Sequence, residues 1–124
     1  MSNIKNILVV DDSRAMRMIV SRTLRQAGFG DGTLREAADG AEALAAIEAE
    51  QPDLVLSDWN MPNVNGIELL QALRAAGNEV RFGFITSEST TEMREQAIGA
   101  GAEFLLAKPF TADDFAEVIG APAV

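Results

Sequence analysis

Short apolar runs rich in β-branched residues alternate with stretches of helical periodicity along the whole chain, and no other feature restricts the fold as much. Buried parallel strands have this composition, and each crossover between parallel strands must pack a helix back onto the sheet. The runs are Asn6–Val10, Thr33–Ala37, Leu54–Ser57, 82–86 and Phe104–Ala107. Five strand–helix units predict an α/β fold in which helices cover both faces of one parallel sheet.

The stretches that follow the runs have helical spacing and carry residues typical of helix ends. Ser13 and Thr111 are suited to begin the first and last helices, and Gly28 is suited to end the first. Asp39 and Gly40 are interpreted as a turn before the second helix. The side chains expected to face the sheet from the first helix are Met16, Ile19, Val20, Thr23, Leu24 and Ala27, and those expected to point inward from the second are Ala43, Leu44 and Ile47. A third helix is indicated by Leu69, Leu70 and Leu73, and a fourth by Met93, Ala97 and Ile98.

Some segments also carry information about their position in the fold. Thr33–Ala37 mixes polar and apolar residues, which predicts an edge strand. Gly83, inside the fourth run, predicts close approach of a neighbouring backbone. The last helix, Ala112–Ile119, is expected to be short because helix-breaking residues follow it. A chain of 124 residues suits one domain spanning 1–124, with 121–124 as a short tail.

The composition excludes several kinds of chemistry. The chain has no cysteine and no histidine, which removes disulfides, thiolate catalysis, imidazole bases and zinc–thiolate sites. Its 10 basic and 19 acidic residues give a net charge of −9, which argues against nucleic-acid or anionic-membrane partners. No apolar run near the start is long enough for a signal peptide or a membrane span. We therefore expect a cytoplasmic protein.

Side chains capable of chemistry gather at the C-terminal ends of the predicted strands. Asp11 and Asp12 follow the first strand, Asp58 follows the third, Thr86 ends the fourth, and Lys108 follows the fifth. Taken singly, each is compatible with a helix cap or a surface lysine. The carboxyl ends of parallel strands lie on one edge, where open α/β sheets bind ligands. We therefore expect these five side chains to converge.

Such a cluster needs positive charge. Two carboxylates about 4 Å apart repel by roughly 4 kcal/mol at an effective dielectric near 20. Lys108 supplies one positive charge, and Mg²⁺, which prefers carboxylate oxygens, water and phosphate, is suited to supply the rest. Asp58 would then attack a phosphoryl group to form an aspartyl-phosphate, whose oxygens Thr86 and Lys108 would hold.

This set of residues, with Pro109 after Lys108, resembles the receiver domain of two-component response regulators over the whole chain. The run 57–63, Ser-Asp-Trp-Asn-Met-Pro-Asn, followed by Gly66, is similar to CheY-like chemotaxis receivers in particular. The resemblance implies a flavodoxin-like doubly wound (βα)5 fold with a five-stranded parallel sheet in the order 2-1-3-4-5.

The resemblance also implies a role for each acid. Asp58 is the phosphoacceptor, and its phosphoryl donor is the phosphohistidine of a histidine kinase. The implied ligands of Mg²⁺ are Asp12 directly, Asp11 mainly through water, Asp58, and the backbone carbonyl of Asn60. A phosphohistidine on a partner kinase fits a chain that has no histidine of its own.

Other residues are implied to bind and transmit the phosphoryl group. Thr86 and Lys108 bind it, and the peptide between Lys108 and Pro109 is expected to be cis. Asn60 and Glu88, two positions beyond Asp58 and Thr86, are implied to tune the lifetime of the phosphorylated state.

The output side departs from the family pattern. CheY-like proteins usually carry an aromatic switch residue three positions before the lysine, where this chain has Leu105, with Phe104 beside it. Thr86 and Leu105 are therefore the expected switch residues. The output target, a flagellar motor switch protein or another signalling protein, stays open, as does the cognate kinase.

The predicted function is that of a monomeric, single-domain response regulator in chemotaxis, which is no enzyme beyond its own phosphorylation and dephosphorylation. The alternative is a stand-alone receiver that acts as a phosphate sink or phosphorelay intermediate. An aspartyl-phosphate phosphohydrolase is disfavoured, since it would want an Asp-x-Asp acid–base pair, and here the paired acids are adjacent. A flavodoxin-like cofactor carrier would need a Ser/Thr/Gly-rich loop after the first strand, and 13–16 is not one.

Overall fold

The computed structural model describes residues 4–29 and 32–120, and strands and helices alternate throughout them. The predicted tail, 121–124, lies outside the described residues. The fourth strand begins at Arg81, one residue before the start predicted from the sequence. In chain order the elements are β1 (Asn6–Val10), α1 (Arg14–Gln26), β2 (Thr33–Ala37), α2 (Gly40–Ala49), β3 (Leu54–Ser57), α3 (Gly66–Ala75), β4 (Arg81–Thr86), α4 (Thr91–Gly99), β5 (Phe104–Ala107) and α5 (Ala112–Ile119).

The five strands form one parallel sheet in the order β2-β1-β3-β4-β5. This confirms the α/β class and the strand order that the resemblance implied. β2 is an edge strand, as its mixed composition predicted. β3 lies at the centre and is buried along its whole length. The residue after β3, Asp58, therefore emerges in the middle of the carboxyl-end edge of the sheet.

Apolar side chains cover both faces of the sheet. On one face, α2, α3 and α4 contribute Ile47, Leu70 and Ala97 to a cluster that also contains Phe82 and Phe84. On the other face, α1 and α5 pack against alternate strand residues. That second cluster includes Val20, Leu24, Leu54, Leu56, Phe104 and Phe115. Burial of one such side chain contributes about 1.5–3 kcal/mol, so the two clusters fix the helices that carry the loops.

One side chain predicted to face the sheet points away from it. Ile19 on α1 is 45% exposed, whereas Val20 is buried. Neighbouring residues on an α-helix are about 100° apart, and the prediction assigned both to a face that accommodates one. Among the residues that indicated α4, Ala97 is buried and Ile98 is 49% exposed.

Gly83 is required for a different reason from the one predicted. A Cβ added there would lie 2.1 Å from the Cζ atom of Phe104, whose strand β5 is paired with β4. An aromatic ring, rather than a backbone, therefore occupies the space that the missing side chain leaves.

The predicted helix ends are present. The hydroxyl of Ser13 accepts the N–H of Met16, and Thr111 caps α5 in the same way. Gly28 ends α1 with φ at 96°, a left-handed conformation that glycine adopts without strain. α5 has eight residues, as short as expected. Among the residues described, no helix is long and apolar enough to cross a bilayer.

Candidate functional site

The structure brings together the three acids that follow β1 and β3. Asp11, Asp12 and Asp58 each offer a carboxylate oxygen, and these three oxygens lie within 4.8 Å of one another. The pairing of β1 with β3 causes this convergence, because Val10 is aligned with Ser57. The N–H of Asp58 continues the ladder by donating to the carbonyl of Val10 at 2.8 Å.

Lys108 reaches this cluster from the end of β5. Its Nζ lies 3.4 Å from Oδ2 of Asp11 and 3.8 Å from Oδ2 of Asp58. The N–H of Lys108 donates to the carbonyl of Thr86 at 2.8 Å, and the peptide to Pro109 is cis, as the resemblance implied. Three carboxylates and one ammonium group leave a net charge of −2 when all are ionised, which matches one divalent cation.

The surroundings of Asp58 shift the equilibrium of its carboxyl group towards the neutral form. Its side chain is 13% exposed, and the pKa of Asp58 is raised, mainly by burial. The ammonium of Lys108 lowers this pKa, as does the N–H of Trp59, which donates to Oδ1 of Asp58 at 2.8 Å. The charges of Asp11 and Asp12 raise it further. A bound cation would reverse this balance by stabilising the carboxylate.

The two acids after β1 differ in their surroundings. Asp11 is buried, with Oδ1 accepting the N–H of Ser13 at 2.8 Å and Oδ2 facing Lys108. Asp12 is exposed. The carboxylate of Asp12 is therefore open to a ligand arriving from solvent, while both oxygens of Asp11 already contact groups of the protein.

Thr86 and the two proposed lifetime residues lie at the same edge. Thr86 is fully buried at the end of β4, and its hydroxyl oxygen accepts the N–H of Glu88 at 3.2 Å. Asn60 and Glu88 are both exposed, in the loops that follow β3 and β4. The buried hydroxyl at the end of β4 and the exposed polar side chains in the two loops therefore lie at the same edge of the sheet.

Leu105 is buried beneath α4. It is 3% exposed and belongs to the cluster that contains Phe84 and Ala97, whereas Phe104 faces the opposite side of the sheet. The guanidinium of Arg94, on α4, donates to the carbonyl of Leu105 at 3.2 Å. Leu105 therefore contacts α4 through both its side chain and its backbone.

The sequence prediction did not include Arg17, Glu36 or Asn63 among the residues of the site. Arg17 donates to the carbonyl of Asp11 at 2.6 Å and pairs with Glu36 at 2.7 Å. The side chain of Asn63 donates to Asp39. The sequence predicted a turn at Asp39 and Gly40, whereas Asp39 is the N-cap of α2 and Gly40 is the first residue of that helix. The Asn-rich loop was a weak signal for Asn63, but nothing in the sequence indicated its partner.

Comparison with known proteins defines the class. Residues 7–120 match the family model described as the response regulator receiver domain. This chain therefore belongs to the response regulator receiver family, whose CheY-like members are signalling proteins rather than classical enzymes.

Within that family the chain is CheY-like. It is 41% identical over 108 residues to chemotaxis protein CheY-3 of Vibrio cholerae, a match that covers 86% of this chain and 82% of the relative. The solved structure of the Vibrio cholerae chemotaxis protein CheY4 superposes with a TM-score of 0.82 at 33% identity, covering 94% of this chain and 96% of that one.

Another similar relative is a longer protein. Response regulator MprA of Mycobacterium ulcerans is 36% identical over 108 residues, which are 87% of this chain and 45% of the relative. The chain thus spans less than half the length of that protein.

Proposed function

We propose that Asp58 is phosphorylated by the phosphohistidine of a histidine kinase with Mg²⁺, and that phosphorylation switches binding to a protein target in chemotaxis. The observation that carries this proposal is the meeting of three carboxylates, each with an oxygen within 4.8 Å of the others, beside the ammonium of Lys108. The 41% sequence identity to chemotaxis protein CheY-3 of Vibrio cholerae supports the chemotactic role.

The acids fit Mg²⁺ by their chemistry and grouping. Mg²⁺ prefers carboxylate oxygens and water as ligands. Asp11, Asp12 and Asp58 each offer a carboxylate oxygen, and these three oxygens lie within 4.8 Å of one another, so one hydrated ion would contact all three acids directly or through water. Asp12 is the proposed direct ligand because it is exposed, while Asp11 acts mainly through water. Asp58 and the carbonyl of Asn60 complete the proposed protein ligands.

The proposed reaction is a phosphoryl transfer. A carboxylate oxygen of Asp58 attacks the phosphorus, and the P–N bond of the donor phosphohistidine breaks. The donor imidazole keeps the bonding electrons and takes up a proton. The acids would hold Mg²⁺, which when bound would supply positive charge to the phosphoryl oxygens. Lys108, already beside the Asp58 carboxylate, then binds the oxygens of the new acyl phosphate, and the hydroxyl of Thr86 donates to another.

One observation favours a second candidate, a phosphate sink or phosphorelay intermediate. Leu105 occupies the place where an aromatic residue is usual, and it is fully packed beneath α4. A sink needs no output target, so it needs no aromatic switch. Reverse transfer distinguishes the two: a sink returns phosphate to the kinase rapidly, whereas a chemotactic switch binds a motor switch protein more tightly when phosphorylated.

The test is phosphorylation by acetyl phosphate or phosphoramidate, followed by intact-mass spectrometry. We expect one added phosphoryl group that requires Mg²⁺ and is lost with excess chelator or in Asp58→Asn. Asp113→Asn, which alters an exposed aspartate on α5, is the matched control and should be phosphorylated normally. Phosphorylation that persists in Asp58→Asn would show that the acceptor is another residue.

A further inference from the structure

The loop between β3 and α3, residues 58–65, is fastened to the neighbouring turn that precedes α2. The side-chain amide of Asn63 donates to Oδ2 of Asp39 at 2.8 Å. The N–H of Gly40 donates to the carbonyl of Val64 at 3.0 Å. This loop carries Asp58 at its beginning, so both contacts act on the segment that holds the phosphoacceptor.

Asp39 is a rigid anchor for this contact. It is 9% exposed, and its Oδ1 accepts the N–H of Glu42 at 2.9 Å as the N-cap of α2. The N–H of Glu42 and, next, the amide of Asn63 lower the pKa of Asp39, so its carboxylate is charged at neutral pH. Hydrogen bonds to an ionised acceptor are stronger than those between neutral groups.

Asn63 contributes its backbone as well as its amide. Its φ is 66°, in the left-handed region that asparagine tolerates better than most residues other than glycine. Glycine would provide the same backbone conformation without the bond to Asp39. The turn and the hydrogen bond can therefore be separated by one substitution.

The loop has little freedom to shift as a unit. A Cβ at Gly40 would lie 2.5 Å from Cγ1 of Val64, which places the loop directly against the first turn of α2. At the other end of the loop, the N–H of Gly66 donates to the carbonyl of Trp59 at 2.8 Å, and a Cβ at Gly66 would lie 2.2 Å from the carbonyl oxygen of Asp58. The loop is thus closed at its base and held at its tip.

The segment that holds the loop tip also contacts the acids of β1. The carbonyl of Ala37, the last residue of β2, accepts the N–H of Asp11 at 3.1 Å. Residues 37–40 therefore touch both sides of the site, Asp11 through the backbone and the 58–65 loop through Asp39 and Gly40. This segment therefore connects the loop that carries Asp58 to Asp11.

We propose that the hydrogen bond between Asn63 and Asp39 positions the 58–65 loop, and thereby sets the affinity of the acidic cluster for a divalent cation. The proposal rests on the proposed function, because that cation is Mg²⁺. Neither residue touches the reacting carboxylate, so both are positioning residues. Their effect reaches the site through the loop that carries Asp58 and Asn60.

The experiment compares Asn63→Gly and Asp39→Ser with the unaltered protein by titration with Mg²⁺. Trp59 fluorescence is the signal, since Trp59 is the residue next to Asp58 and its backbone N–H donates to Oδ1 of Asp58. We expect the Kd for Mg²⁺ to rise about fivefold or more in each variant, with no further rise in the double variant, because residues in one contact are not additive. Urea unfolding of each variant shows whether it is folded.

A matched control and a metal-free measurement complete the test. Asn78→Gly removes an asparagine whose amide pairs with Gln51 in a different loop, and it should leave the Kd unchanged. Without metal, Asn63→Gly should speed hydrogen exchange at the N–H of Gly66, relative to Asn78→Gly. Faster exchange at Gly66 would show that the Asn63–Asp39 hydrogen bond holds the loop independently of metal binding.

Three results would overturn the proposal. A Kd within twofold of the unaltered protein in folded Asn63→Gly, with unchanged exchange at Gly66, would show that the bond positions nothing. A third variant, Asn63→Ala, removes the amide and also places alanine at a φ of 66°. If Asn63→Ala loses affinity for Mg²⁺ and Asn63→Gly does not, the effect comes from backbone conformation rather than from the hydrogen bond. Failure of the unaltered protein to bind Mg²⁺ would instead overturn the proposed function, and the proposed coupling to the cation with it.

Discussion

The carboxylate of Asp58 lies 3.8 Å from the ammonium group of Lys108, and the pKa of Asp58 is nevertheless raised. Burial is the largest cause, and the charges of Asp11 and Asp12 add to it, so together they outweigh the lysine. The ionised cluster is therefore held in the fold against its own repulsion. A divalent cation, or removal of one charge, should relieve that repulsion.

Replacing Asp58 by asparagine should stabilise the protein at neutral pH. An acid whose pKa is raised on folding destabilises the fold once it is ionised, so this cost is present at pH 7 and disappears below the unfolded pKa of about 3.9. We expect Asp58→Asn to raise Tm by a few degrees, about 1 kcal/mol for a domain of this size. Glu95→Gln, on the exposed side of α4, is the control and should change little. A lower Tm in Asp58→Asn would contradict the argument.

Affinity for Mg²⁺ should fall as the solution is acidified. The proton and the cation compete for the Asp58 carboxylate, and because the pKa of Asp58 is raised, the loss should begin at a higher pH than for an ordinary aspartate. Titrations followed by Trp59 fluorescence at pH 7.5 and pH 5 would measure it, with weaker binding expected at pH 5. An equal Kd at both values would mean that Asp58 is not a ligand.

The sequence alone was sufficient to predict the strands, the helices and the convergence of the acids, and the reason is physical. Strand-ending residues such as Asp11 and Asp58 must share an edge once the strands are parallel, whichever residues fill the loops. The strand order needed the family resemblance, because hydrophobic runs do not encode which strands pair. The contact of Asn63 with Asp39 was beyond reach, because these residues are 24 positions apart and meet only when two loops have taken their final shapes.

Helix faces show a related limit. Ile19 and Val20 are equally apolar, and only the position of α1 on the sheet decides that Val20 is buried. Gly83 was recognised as a site of close approach, but the identity of its neighbour, Phe104, depends on the register of β4 with β5.

Gly83→Ala should destabilise the fold, and Gly99→Ala should not. The new methyl group at Gly83 would lie 2.1 Å from the ring of Phe104, an overlap that costs typically about 1–3 kcal/mol in a packed core. At Gly99, the last residue of α4, no atom lies within 4 Å of the added group, and alanine is the better helix former. Urea unfolding of the two variants should show opposite signs. Equal stability for both would indicate that the Phe104 ring moves aside freely.

The phosphorylated state should be short-lived. Asn60 and Glu88 are exposed in the loops after β3 and β4, where polar side chains can contact an attacking water. Both match the chemotaxis pattern, which resembles a switch that resets quickly. We expect a half-life of roughly seconds to a few minutes at neutral pH, as the resemblance to chemotaxis receivers implies. The measurement is the loss of the phosphoryl mass over time after the donor is removed. A half-life of hours would contradict this.

The signal should leave the site through Thr86 rather than through Leu105. The Thr86 hydroxyl is buried and accepts the N–H of Glu88, so turning it to donate to a phosphoryl oxygen moves the start of the loop 87–90. A hydrogen bond to a charged group contributes about 1.5–3 kcal/mol, enough to bias two loop positions. Leu105 has no ring to rotate and no polar atom in its side chain, so its own two positions should differ little in energy.

We therefore expect Leu105→Ala to leave phosphorylation by small donors nearly unchanged, and Thr86→Ala to weaken the phosphorylation-dependent change in target binding. Leu105 is 3% exposed, and truncating a buried leucine costs about 2–5 kcal/mol, so unfolding curves must first show that Leu105→Ala is folded. The measurement is titration of the target with each variant, with and without beryllofluoride as the phosphoryl mimic. Thr86→Ala removes the buried hydroxyl that is proposed to move the 87–90 loop. If this variant keeps the full affinity ratio between those two states, the Thr86 hydroxyl is not needed and this route for the signal is wrong.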